Sequence, residues 1–123
     1  MTILIVDDNT KFRVFIKKIL QASIHNIETI YECEDGESAV SMYNEFKPDW
    51  VLMDIKLPLM DGLEATRLIT GKNPEAKIII LTQYNDTEYR EVASKWGAYN
   101  FFLKENVELI PKCLNNNNST RES

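Results

Sequence analysis

The feature that most constrains this chain is an alternation. Short apolar runs recur five times, each followed by a longer amphipathic segment. Ile3, Leu4, Ile5 and Val6 form the first run, as a strand buried on both faces requires. Phe12, Phe15, Ile16, Ile19 and Leu20 then recur at helical spacing, with Asn9 or Thr10 placed to cap that helix. Thr29–Cys33 is a weaker strand, because Glu28 and Glu32 flank its apolar residues. Asp35 can cap the next helix, which carries Ala39, Val40, Tyr43 and Phe46 on one face and is ended by Pro48.

Trp50–Met53 is the next buried strand and runs straight into Asp54. Residues 57–62 form a loop containing Pro58 and Gly62, and a third helix spans 63 to about 69, closed by Gly71 and Pro74. Residues 77–81 are the most hydrophobic strand. A helix follows from about 87 to 96, stopped by Gly97; 99–103 is the fifth strand, and Lys104 stands at its end. A last, short helix covers 107–114. Five strands alternating with five helices predict an α/β fold, a doubly wound parallel sheet covered on both faces. Right-handed crossovers bring every strand's C-terminal end to one edge, where open sheets of this kind bind ligands.

At 123 residues the chain suits one compact domain. Residues 1–114 are assigned to it, and 115–123, polar and asparagine-rich, to a flexible tail. No apolar run approaches the roughly 18–20 residues of a membrane span. The opening segment lacks a basic region and reaches carboxylates within a few residues, unlike a signal peptide, so a cytoplasmic location is expected. Cys33 and Cys113 lie far apart without metal-ligand spacing and read as reduced thiols. A net charge of −5 with scattered Lys and Arg argues against direct nucleic-acid binding.

Function is legible in what terminates the strands. The first ends in Asp7 and Asp8, the third in Asp54, the fourth in Thr82 and the fifth in Lys104. Taken singly, each is better read as a cap, a turn residue or a solvated lysine. Together they converge on one edge. Three carboxylates in one crevice repel each other unless a cation intervenes, and oxygen ligands with open positions suit Mg2+. A carboxylate is a competent phosphoryl nucleophile, and phosphoryl transfer is mostly positioning and charge neutralisation.

Several ordered motifs carry a resemblance over roughly residues 1–110. They are Ile3-Leu4-Ile5-Val6-Asp7-Asp8-Asn9, the stretch from Pro48 through Asp54 to Pro58, Met60-Asp61-Gly62-Leu63-Glu64-Ala65-Thr66, Ile78-Ile79-Ile80-Leu81-Thr82, and Gly97-Ala98-Tyr99-Asn100-Phe101-Phe102-Leu103-Lys104. The chain resembles the CheY-like receiver domain of two-component response regulators, in the flavour of NarL/LuxR-type receivers that precede a helix-turn-helix output domain.

The resemblance implies a flavodoxin-like (βα)5 fold with strand order 2-1-3-4-5. It implies a phosphoacceptor, Asp54, with Mg2+ held by Asp54, by Asp8 directly, by Asp7 through water and by the backbone carbonyl of Lys56. Thr82 and Lys104 would contact the phosphoryl oxygens, Thr82 and Phe101 would form the switch, and Lys56 and Tyr84 would tune hydrolysis. It implies as partners a sensor histidine kinase or phosphotransfer protein, and an output domain or target at the surface of the fourth helix, fifth strand and fifth helix. Dimerisation on phosphorylation follows by analogy alone.

Departures from the family pattern are Asn100 where glycine is common, Trp96 where a small residue is usual, and a short last helix with Pro111 and no helix-turn-helix sequence after it. Trp96 is either a partner anchor or packed on its helix. Pro111 fits if that helix begins near 107 or 108. A stand-alone receiver and a fragment of a longer regulator both remain open.

Rival readings are weaker. An aspartate-dependent phosphatase needs an acid/base group near Asp54, but Lys56 takes the place of the expected aspartate and His25 lies in a turn before the second strand. A flavin module wants a Ser/Thr/Gly-rich loop after the first strand, where Asp7, Asp8 and Asn9 stand. An unphosphorylated interaction module of the same fold would typically lack one of the strand-end residues.

Overall fold

In the computed structural model, which describes residues 1–115, five parallel strands and five α-helices alternate along the chain. The order is β1 (Thr2–Val6), α1 (Thr10–Ser23), β2 (Thr29–Cys33), α2 (Gly36–Phe46), β3 (Trp50–Met53), α3 (Gly62–Lys72), β4 (Ile78–Thr82), α4 (Thr87–Lys95), β5 (Asn100–Leu103) and α5 (Ile110–Asn115). The strands lie side by side as β2-β1-β3-β4-β5. Both the predicted fold class and the predicted order therefore hold.

The central strands are apolar throughout because both of their faces are covered. Alternate residues divide between two cores. Leu4, Val6, Val51, Met53, Ile78 and Ile80 pack with residues of α2, α3 and α4. Ile3, Ile5, Trp50, Leu52, Ile79 and Leu81 pack with residues of α1 and α5. The edge strands β2 and β5 are only half-buried, which explains the polar residues that weakened the reading of Thr29–Cys33.

Side chains set most helix starts. Asn9, not Thr10, caps α1 by accepting from the Phe12 amide at 3.0 Å; Asp35 and Asp61 accept from Ser38 and Glu64 in the same way. Several ends differ from expectation. The third helix runs through Gly71 to Lys72, and Asn73 stops it, its amide and its side-chain Nδ2 both donating to the Ile69 carbonyl. Gly97 does end the fourth helix region, at a φ of 96°.

The last element is not one helix from 107. A 3-10 stretch, Lys104–Leu109, precedes α5, with Asn106 outside helical geometry. Pro111 is then the second residue of α5, where its missing donor would have no intrahelical partner. Asn115, assigned to the tail, is the last residue of α5; the rest of that assignment lies outside the described residues. Trp96 is half-buried against the core with the Arg67 guanidinium 5.7 Å from its ring centroid, so the packing alternative holds. Asn100 accepts from the next amide, that of Phe101, at 2.8 Å where β5 begins.

The two cysteines are free, and burial pushes the Cys33 thiol up to about 11. Among the described residues no helix is long and apolar enough to cross a membrane.

One glycine ties the fold to the strand ends. The Gly62 amide donates to the Ile55 carbonyl at 2.8 Å, and a Cβ on Gly62 would lie 1.8 Å from the Asp54 carbonyl oxygen. No side chain fits there without displacing the backbone of Asp54. Gly71 faces open space within its helix. Urea denaturation is therefore expected to show Gly62→Ala losing about 3 kcal/mol through overpacking. Gly71→Ala is expected to gain roughly 0.5–1 kcal/mol, the usual helix-interior difference between these residues.

Candidate functional site

β1 and β3 are neighbours, yet the chain leaves β1 toward β2 on one side and returns to β3 on the other. The crevice at their C-terminal ends is the switch point where ligands bind in such sheets. Backbone pairing carries past both strands into the site. The Asp7 amide donates to the Cys33 carbonyl at 3.1 Å, and the Asp54 amide to the Val6 carbonyl at 3.0 Å. The two aspartates are thus placed by the sheet's own ladder.

A cleft of about 220 Å3 opens there, lined by Asp7, Asp8, Asn9, Asp54, Lys56, Gln83, Tyr84 and Lys104. Asp7 and Asp54 are buried, while Asp8 is exposed. Carboxylate oxygens of all three lie within 4.8 Å of one another. The Lys104 ammonium stands between two of them, 2.7 Å from Asp7 Oδ2 and 3.2 Å from Asp54 Oδ2. It also lies 4.3 Å from the Phe12 ring centroid. Asp7 Oδ1 accepts from the Asn9 amide at 2.9 Å, and Asp54 Oδ1 from the Ile55 amide at 2.7 Å.

Burial raises the pKa of Asp54 and the charge of Asp7 adds to the effect; Lys104 and the Ile55 amide offset it only in part. Burial alone would lower the Lys104 pKa. Its hydrogen bond to Asp7 and the charges of Asp54 and Asp7 outweigh that and leave it raised. The ammonium therefore stays protonated while the neighbouring acid is held ionised at a cost. A hard cation beside three oxygen donors is what such a cluster lacks, so the donor set fits Mg2+.

The structure brings Asp7, Asp8, Asp54, Lys56, Tyr84 and Lys104 together as the sequence implied. It does not place Thr82 or Phe101 on the cleft. Thr82 is fully buried and its hydroxyl accepts from the Tyr84 amide at 3.3 Å. Phe101 is half-buried on β5, with the Arg90 guanidinium 4.4 Å from its ring centroid. His25 is exposed just before β2, at the opposite edge of the sheet.

Three contributors were not anticipated. Asn9 and Gln83 line the cleft. Arg13, buried on α1, donates from Nη1 to the Asp7 carbonyl oxygen and from Nε to Glu32 Oε1 at 2.9 Å. Glu32 also accepts from Lys17 at 2.7 Å. Arg13 falls on the inward face of α1 at helical spacing from Ile16 and Leu20, and that inward arginine was the available signal.

Comparison with known proteins agrees with this geometry. The sequence profile of the response regulator receiver domain matches residues 3–113. The transcriptional regulatory protein DegU of Brevibacillus brevis is 39% identical over 103 residues, 84% of this chain but 43% of that protein. The chemotaxis protein CheY of Listeria monocytogenes is 41% identical over 104 residues, 85% of this chain and 86% of that one. A LuxR-family DNA-binding response regulator from Staphylococcus aureus superposes with a TM-score of 0.87 at 26% identity, covering 96% of this chain and 98% of the other.

Mg2+ and pH should act on stability together. Because the folded-state pKa of Asp54 is raised, its ionisation costs stability at neutral pH, and the cost disappears as pH falls below the unfolded value near ~3.9. In thermal melts without metal, Asp54→Asn is expected to raise Tm at pH 7.5 and to lose that advantage at pH 3.5. Mg2+ at one hundred times its dissociation constant should stabilise the wild type by about 2.7 kcal/mol at pH 7.5, and far less near pH 4.

Proposed function

The chain belongs to the response regulator receiver family, and from that premise we propose that Asp54 is the phosphoacceptor of a phosphorylation-operated switch. The observation that carries this reading is the position of Asp54. It lies buried at a switch-point cleft, with Lys104 at 3.2 Å and the carboxylates of Asp7 and Asp8 beside it.

The donor is a histidine kinase phosphohistidine, or a phosphotransfer protein carrying one. An Asp54 carboxylate oxygen attacks phosphorus in line, an O–P bond forms, and the N–P bond breaks. Its electron pair stays on the imidazole, which takes a proton from solvent. Lys104 turns from pairing two carboxylates to neutralising phosphoryl oxygens. Asp7 and Asp8, with the Lys56 carbonyl, would hold Mg2+, which when bound supplies charge neutralisation for the phosphoryl oxygens. Small acyl phosphates serve as alternative donors, and hydrolysis returns Asp54 to its starting state. The module signals rather than turning over a substrate.

Phosphorylation adds charge and acceptor oxygens at the strand ends. Thr82 exchanges its contact with the Tyr84 amide for one with the phosphoryl group, and Phe101 fills the space this opens. The surface of α4, β5 and α5 then changes its affinity for an output domain, a target protein or a second copy. Half-burial of Phe101 and of β5 supports this side of the sheet as the part that moves. The chain spans 43% of the DegU relative, a transcriptional regulatory protein, and a transcriptional output is carried here only by analogy with it.

Intact-protein mass spectrometry after incubation with acetyl phosphate tests the reading. A gain of one phosphoryl group that requires Mg2+ and vanishes in Asp54→Asn is expected. No gain by folded, Mg2+-bound protein would favour an unphosphorylated interaction module. Thr82→Ala is expected to take the phosphoryl group at a rate within about threefold of wild type yet lose the phosphorylation-dependent NMR shifts of β5. Normal shifts in that variant would refute the coupling.

A further inference from the structure

Among the residues lining the cleft, Lys56 and Tyr84 are exposed, and neither long side chain would be held in place by burial. Both nonetheless meet a third residue that does not line the cleft. The Lys56 ammonium lies 5.5 Å from the Tyr84 ring centroid and 5.3 Å from that of Tyr89, and the two rings meet edge to face with centroids 6.4 Å apart. Cation–ring distances within about 6 Å are attractive, and edge-to-face pairs add to them. Tyr89 is the anchored member: it belongs to the first turn of α4 and is half-buried against the core that includes Met53 and Ile80.

We propose that Tyr89 is a positioning residue that clamps Lys56 and Tyr84 at the mouth of the cleft and so lengthens the life of the Asp54 phosphoryl group. This rests on the reading of Asp54 as phosphoacceptor. In hydrolysis a water oxygen attacks phosphorus in line with the Asp54 oxygen. The new O–P bond forms as the Asp54–phosphorus bond breaks, the carboxylate departs with the electron pair, and the water's proton passes to solvent. With Asp54 buried, the line of attack runs in from the open side of the cleft. Two bulky side chains held together there narrow the approach of water. Without the Tyr89 ring, Lys56 and Tyr84 keep only each other, so both sample positions that leave the approach open. Small donors must enter by the same opening for Asp54 to attack their phosphorus, and are slowed by the same clamp.

A double-mutant cycle on dephosphorylation separates this from a general loosening. Protein phosphorylated by acetyl phosphate with Mg2+ is freed of donor, and loss of the phosphoryl group is followed by mass. Four chains are compared: the wild type, Tyr89→Ala, Lys56→Ala and the double variant. Tyr89→Phe, which keeps the ring, serves as the conservative replacement.

Tyr89→Ala is expected to lose the group about fivefold faster, the scale of one or two exposed cation–π contacts. Tyr89→Phe, which keeps the ring but loses the hydroxyl that faces the Lys56 ammonium, should fall between wild type and Tyr89→Ala. In the Lys56→Ala background, removing Tyr89 should add little, while Mg2+ affinity measured by calorimetric titration stays unchanged in Tyr89→Ala and Tyr89→Phe. An unaltered rate in Tyr89→Ala, or the same acceleration with and without Lys56, would overturn the proposal. If the wild type takes up no phosphoryl group at all, the underlying assignment of Asp54 fails first, and the clamp with it.

Discussion

The site depends on one ammonium standing between two buried carboxylates. Lys104 arrives from the end of β5, two strands away from β3, and reaches both Asp7 and Asp54. Without it, the sheet would press two acids into a low-dielectric crevice with no compensating charge, an arrangement that costs several kcal/mol per unpaired ion. With it, the crevice is still short of positive charge, since Asp8 lies within the same small radius. That deficit gives the cleft its appetite for a hard cation. Burial, with the charge of Asp7 adding to it, holds the acid at the floor above its ordinary pKa instead of below it.

The scaffold meets this demand by dividing rigidity unevenly. β1, β3 and β4 are packed on both faces, and their ladder places Asp7, Asp54 and Thr82 with little freedom. Gly62 presses against the Asp54 carbonyl so closely that the loop after β3 has one way to pass. Arg13 grips the Asp7 carbonyl from α1 and is itself held by Glu32 on β2. On the opposite side, β5 is half-buried and leads into an irregular 3-10 stretch before α5. Charge added at the cleft would therefore be absorbed on that side, where Lys104 and Phe101 sit, more readily than at the acidic strands.

Much of this was legible in the residues because it is governed by short-range rules. Unbroken apolar runs mark doubly covered strands, and strand-end residues meet because right-handed crossovers align those ends. The strand order itself came from family resemblance, not from periodicity. What the sequence hid lay mostly in side-chain hydrogen bonds, rotamers and local helix geometry, none of which apolar periodicity encodes. Asn73 could not be seen to stop the third helix, because its side chain folds back on a helix that Gly71 appeared to end. The 3-10 stretch after β5 reads like helix in any hydrophobic pattern. Thr82 was expected at the phosphoryl oxygens, yet its hydroxyl faces the Tyr84 amide in this state, a matter of rotamer that no sequence pattern encodes. Tyr89, at the start of α4, joins the cleft's rim only through two rings and one ammonium.

The central claim is that the strand-end cluster becomes a phosphoryl-binding switch when charge is supplied. The most direct measurement is a crystal structure with Mg2+ and beryllofluoride, a stable mimic of the phosphoryl group. The account predicts beryllium bonded to a carboxylate oxygen of Asp54, Mg2+ among the oxygens of Asp7, Asp8 and Asp54, and Lys104 moved onto the fluorides. It also predicts the Thr82 hydroxyl turned away from the Tyr84 amide toward the adduct, with Phe101 further buried. An adduct at another residue, or one on Asp54 that leaves Thr82 and Phe101 where they stand, would contradict it.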